Sequence, residues 1–151
     1  MREIVVTMTR LYDAPRERVF AAWTQAEHFA RWFAPRGFAV PSCELDARPG
    51  GAFRMCVRSP EGRDYWVRGE YREVMPPERL VIACTADDGN GAALLEEVIS
   101  VTFGDRDGAT ELRLHATASG VRPEAAAMLD GMEQMWARTV SRLGKHLKPD
   151  S

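Results

Sequence analysis

A chain of 151 residues is long enough for one domain of ordinary size and too short for two, so any function has to fit on a single core. Hydrophobic residues at 45% and charged residues at 28% exclude a disordered or fibrous chain, and a net charge of -2, from 20 Lys+Arg against 22 Asp+Glu, provides no whole-chain positive field for a phosphate backbone, which sets nucleic acid aside as a partner. No apolar run approaches the roughly 20 residues of a membrane span, and the chain opens on strand-like Glu3-Ile4-Val5-Val6 instead of a charged-then-apolar leader, so the expectation is a cytoplasmic protein with no membrane partner.

Residues 3–12 carry β-branched side chains with partial alternation and predict a strand, broken by Asp13-Ala14-Pro15, where Asp can cap a helix and Pro fits its first turn. Val19, Phe20 and Trp23 then fall at helical spacing, and a second short helix over about 26–33 places Phe29, Trp32 and Phe33 on one side. Pro35, Gly37 and Pro41 end the helical run, and residues 42–48 read as a strand entering the turn Arg48-Pro49-Gly50-Gly51. The returning strand, 52–58, alternates Phe53, Met55 and Val57 against Arg54, Cys56 and Arg58, the period of two expected when one face meets a core. After Ser59-Pro60-Glu61-Gly62, residues 65–74 alternate Tyr65, Val67, Gly69 and Tyr71 against Trp66, Arg68, Glu70 and Arg72. Further strands follow over 80–86, around inward Ile99, Val101 and Phe103, and over 110–118 with Leu112, Leu114 and Ala116 inward.

From Pro123-Glu124 onward, Leu129, Met132, Trp136, Val140, Leu143 and Leu147 recur at steps of three and four, which predicts one amphipathic helix of about 25 residues, roughly 37 Å long. Strand, two short helices, six strands and a long C-terminal helix amount to an α+β layout with a curved antiparallel seven-stranded sheet. One helix rarely fills the concave face of such a sheet, so a cavity is expected.

Cys43, Cys56 and Cys84 form an odd set with no C-x-x-C and no histidine at zinc spacing, so no metal or other cofactor is expected. Cys43 shares the inward parity of Leu45 and Cys56 the outward parity of Arg54, which predicts three free thiols. By the same parity Arg54, Arg58, Glu70, Arg72, Glu111, Arg113 and His115 face solvent. His28 and His146 read as separate surface residues, the latter favoured at a helix C-terminus, and Asp46 as a cap on backbone N–H groups of the adjacent turn. No Ser-His-Asp set sits in a nucleophile-elbow context and Gly50-Gly51 opens no helix, so nucleotide and acyl-transfer chemistry are unsupported. Outward Trp66 suggests a partner surface, with a homodimer contact as one expectation.

The segments Tyr12-Asp13-Ala14-Pro15 through Trp23-Thr24, Arg31-Trp32-Phe33-Ala34-Pro35, Asp46-Ala47-Arg48-Pro49-Gly50-Gly51, Gly69-Glu70-Tyr71, Pro76-Pro77-Glu78-Arg79-Leu80, Gly108-Ala109-Thr110-Glu111-Leu112 and Trp136 through Leu143 form a joint pattern. Together they resemble the START-like helix-grip superfamily, and within it most closely the activator of heat-shock-protein ATPase homologue family. Met135 departs from the pattern, standing where the family often has glycine. The resemblance implies a helix-grip fold over the whole chain, residues 1–151, with an internal hydrophobic cavity. It also implies little stimulation of a chaperone ATPase, because the co-chaperones resemble this chain in their C-terminal domain only.

Three readings of function stay open. The leading one is binding of an apolar or aromatic small molecule between sheet and long helix, without covalent chemistry and with no catalytic residue. Its expected lining is Trp23, Trp32 and Phe33 from the short helices, Phe53, Met55 and Tyr71 from the sheet, and Met128, Met132 and Trp136 from the long helix. A cyclase-like enzyme would require an inward-facing titratable group. A chaperone-interacting module would require an exposed docking patch.

Overall fold

In chain order the strands are β1 (Glu3–Tyr12), β2 (Ala39–Leu45), β3 (Ala52–Arg58), β4 (Asp64–Met75), β5 (Arg79–Asp87), β6 (Ala93–Arg106) and β7 (Ala109–Gly120). Helices α1 (Arg16–Thr24) and α2 (Ala26–Trp32) separate β1 from β2, and after β7 come a 3-10 turn (Pro123–Ala125), α3 (Ala126–Asp130) and α4 (Met132–Leu147). These elements come from a computed structural model that describes residues 2–148. Met1 and residues 149–151, included in the expected 1–151 domain, lie outside the described residues.

All seven strands join one sheet in the order β1-β7-β6-β5-β4-β3-β2, every pair antiparallel. The chain therefore runs as a meander from β2 to β7, and β1 closes onto β7 with Glu3 opposite Ser119 and Tyr12 opposite Thr110. Short, local connections of this kind are the ones that turn signals in a sequence specify. The parities predicted from alternation hold: Phe53, Met55, Tyr71, Ile99, Val101, Phe103, Leu112 and Leu114 all lie in the core beneath the helices. In β4 the register shifts between Tyr71 and Glu73, and this bulge lets both Tyr71 and Val74 face partners, Ile82 and Leu80, whose side chains are buried.

The turn after β2 folds back onto β4. Gly50 has φ +81, and its N–H donates to Tyr71 O at 2.7 Å while Gly51 O accepts from the Tyr71 N–H at 2.9 Å. A Cβ at Gly51 would lie 1.9 Å from Asp46 O, so no larger residue fits this corner. Asp46 does not cap the turn as expected. Its carboxylate takes the Arg48 guanidinium at 2.8 Å, a stronger donor than a backbone amide. Helix α1 likewise starts two residues later than an Asp13 cap would place it, with Pro15 at the cap position and no side-chain cap.

The C-terminal helix is where the architecture departs most from expectation. In place of one helix of about 25 residues there is a turn, a five-residue α3 and a sixteen-residue α4 of about 24 Å. The break is at Gly131, with φ -95 and ψ 2, because glycine has the lowest helix propensity apart from proline and leaves the backbone free to bend. The apolar spacing from Leu129 to Leu147 passes through the break unaltered, which is why periodicity alone reads it as continuous.

Cys43 sits opposite Met55 and Cys56 opposite Ser42, so the two sulfurs point to opposite faces of the hairpin. Cys84 lies on β5, and all three thiols are free. Thiol titration under denaturing, non-reducing conditions should count three; a count of one would contradict this register.

Candidate functional site

The predicted lining residues meet in the interior. Trp23 ends α1 against Trp32 of α2, centroids 4.9 Å apart and edge-on, and the Trp32 indole N–H donates to Ala22 O at 2.9 Å. Phe29 links Trp32 (5.1 Å), Phe33 (4.4 Å, stacked) and Phe53 of β3 (5.5 Å). Phe53 then meets Tyr71 of β4 at 5.8 Å, and the Tyr71 hydroxyl donates to Trp23 O at 3.3 Å. Phe33 reaches Trp136 of α4 at 5.9 Å. Arg142 ties α4 to this cluster, donating from Nε to Trp32 O at 2.9 Å and from its terminal nitrogen to Phe33 O at 3.0 Å, where the last carbonyls of α2 lack helical partners.

Packing of this kind fills space. Trp23, Trp32, Phe53, Met55, Tyr71 and Trp136 are fully buried and Met132 nearly so, so the deep part of the expected cavity is solid aromatic core. Met128 is a correction: it is 43% exposed, because the break at Gly131 puts it on α3 and off the inner stripe of α4. The surface concavities lie elsewhere. One of about 460 Å³ on the outer sheet face is lined by Arg68, Glu70, Arg72, Thr85 and Glu96 among others, and another of about 560 Å³ runs between residues 10–13 and the C-terminal turn of α4. Neither touches a predicted lining residue.

One part of the concave face is not sealed. Helix α4 packs against β1, α1 and α2, and away from that edge the inward side chains of β2 to β5, Cys43, Val57, Val67 and Ala86, stay half-buried, as do Phe33 and Met135 above them. Next to this apolar opening stands Glu97. It belongs to the inward row of β6, between Leu95 and Ile99, with Cys84 and Ala118 directly across on the flanking strands. Gly69 continues the row beyond Cys84. Its Oε2 accepts the Trp136 indole N–H at 3.3 Å.

Desolvation pushes the Glu97 pKa up to about 7, and the indole hydrogen bond only partly offsets it. Burial, with the Glu97 charge added, also pushes the Cys84 thiol up, so this cysteine stays protonated and is no nucleophile at neutral pH. Sequence reading placed the charged strand residues outside and passed over Glu97. The signal was present: stepping the inward parity of Phe103, Val101 and Ile99 back by one more position reaches it.

A further correction concerns the histidines. His28 of α2 and His146 of α4, expected as separate surface groups, meet with Nδ1 and Nε2 3.2 Å apart. Burial, together with His28, Arg31 and Arg18, lowers the His146 pKa. Trp66 does face outward, yet Arg54 and Arg68 lie over its ring at 5.1 and 4.6 Å. Contacts of this sort are cation–π packing. Among the described residues no helix is long and apolar enough to cross a membrane.

Residues 13–148 match the family model described as Activator of Hsp90 ATPase homolog 1-like protein. A protein from Chromobacterium violaceum of solved structure is 26% identical, with a TM-score of 0.79 over 97% of this chain and 98% of that one. An uncharacterised protein from Rhizobium leguminosarum superposes with a TM-score of 0.81 at 24% identity, over 97% and 95% of the two chains. The solution structure of an AHSA1-like protein from Aeromonas hydrophila does so with 0.74 at 18%, over 95% and 92%. No curated protein matches significantly. With the helix-grip sheet, the long C-terminal helix and a family match over nearly its full length, the chain belongs to the Activator of Hsp90 ATPase homolog 1-like family.

Proposed function

We propose that this protein binds an apolar or aromatic small molecule on the unsealed part of its concave face, without covalent chemistry. The observation that carries the reading is the set of inward apolar side chains Cys43, Val57, Val67 and Ala86, which remain half-buried beneath Phe33 and Met135. Inward positions of a curved sheet are ordinarily covered, and partial exposure there marks a place where a ligand gains contact by displacing water. Met135 suits the rim, since an unbranched thioether adapts its shape to an occupant. Phe33, Met55 and Trp136 form the inner boundary, while Trp23, Trp32, Phe53, Tyr71 and Met132 act as its rigid support. The cyclase-like alternative draws on Glu97, an inward carboxyl of the kind that the sequence reading required of an enzyme.

A neutral environment-sensitive dye, Nile red, tests the binding reading. Saturable binding in the parent is the expected result. Met135→Ala should change dye affinity severalfold at a stability loss below about 1 kcal/mol, as for a half-exposed side chain. Met132→Ala, in packed core, should lose about 2–5 kcal/mol. The absence of saturable binding in the parent would leave a scaffold acting through its surface.

A further inference from the structure

On the largely apolar, half-buried inner face one group is a carboxylic acid. Glu97 projects from the middle of β6 among Leu95, Ile99, Cys84 and Ala118. It is not entirely enclosed, so an occupant of the opening can reach it. The Trp136 N–H engages Oε2 and leaves Oε1 for another donor. The influences on its ionisation are desolvation and the indole, with no lysine or arginine among them. A carboxylate withdrawn from water without a cationic partner is unfavourable, and a partner delivered by a ligand relieves it.

Resting on the binding function proposed above, we infer that the ligand combines an aromatic or apolar body with a protonated nitrogen, which pairs with Glu97 while the body covers Val67, Ala86 and Met135. The residues directly across from Glu97 on the flanking strands, Cys84 and Ala118, are both small. A charge-assisted hydrogen bond in a poorly solvated cleft is about twice as strong as a neutral one, so discrimination between an amine and its uncharged isostere should be large. Ligands bearing carboxylate or phosphate at this end are disfavoured by like charge.

The test compares 2-naphthylmethylamine with 2-naphthylmethanol, equal in size and differing in charge, by calorimetric titration at pH 8 of the full-length protein and of Glu97→Gln. The parent should bind the amine at least tenfold more tightly than the alcohol, and the preference should fall below about twofold in Glu97→Gln, whose amide still accepts the indole N–H. Equal affinities in the parent would overturn the inference while leaving the binding function standing. A preference retained in Glu97→Gln would overturn it too, since the attraction would then come from the net charge of the molecule. Failure of both probes to bind would remove the binding function and the inference together. The parent comparison decides the matter even where the variant folds poorly.

Discussion

Trp23→Ala should lower the stability of the domain by about 3–5 kcal/mol, the range for removing a fully buried large aromatic that cannot be replaced by collapse of its surroundings. The ring is closed in by Trp32 at 4.9 Å and Phe29 at 6.1 Å, both on a separate helix, and by the Tyr71 hydroxyl on its own carbonyl. Such a loss is a large share of the roughly 5–15 kcal/mol that holds a domain of this size together. Trp23→Phe should cost much less, because the indole Nε1 is buried with no hydrogen-bond partner and its removal relieves a desolvated donor. Urea melts of both variants check this. Equal losses would mean that the orphan N–H has no energetic weight, and a small loss for Trp23→Ala would mean that the space behind Trp23 is cavity and not core.

The strands were legible because each alternates cleanly and is closed by Gly, Pro or Asp, and because a meander needs no long-range information to order its neighbours. The family resemblance was legible for the same reason, its motifs being the turns and the aromatic positions that set them. The long helix was misread at Gly131, where the apolar spacing carries straight through a break that only backbone dihedrals reveal. That break then misplaced Met128, the one proposed lining residue that leaves the interior. The other eight lie in or against the core, yet periodicity cannot tell a wall from a filled core: both require apolar residues at the same spacing. Which inward side chains stay half-buried is a property of how α1, α2 and α4 are arranged and not of any one segment. Glu97 escaped notice because its sequence neighbour Glu96 makes the pair look like solvated surface, although consecutive residues of a strand point to opposite faces.

Glu97→Gln should make the protein more stable above neutral pH and leave it nearly unchanged near pH 4.5. The native carboxyl titrates at about 7 against an ordinary value of 4.5. Between these values the folded chain holds a proton that the unfolded chain has released, so stability falls as pH rises through this window and levels off above it. Each unit of separation is worth about 1.4 kcal/mol; discounted because the side chain is partly solvated, the gain for Glu97→Gln at pH 8 is about 1–3 kcal/mol. Urea melts of parent and variant at pH 5, 6, 7 and 8 give the difference directly. The histidines are present in both proteins, so their contribution cancels. A gain that grows from pH 5 to pH 8 is the expected result, and a constant offset would show that Glu97 ionises as an exposed carboxylate does. Saturating 2-naphthylmethylamine should abolish that gain in favour of the parent at pH 8, since the ammonium stabilises the charged carboxyl that burial alone disfavours. The penalty Glu97 imposes on the empty fold is then the interaction energy it offers a cationic ligand.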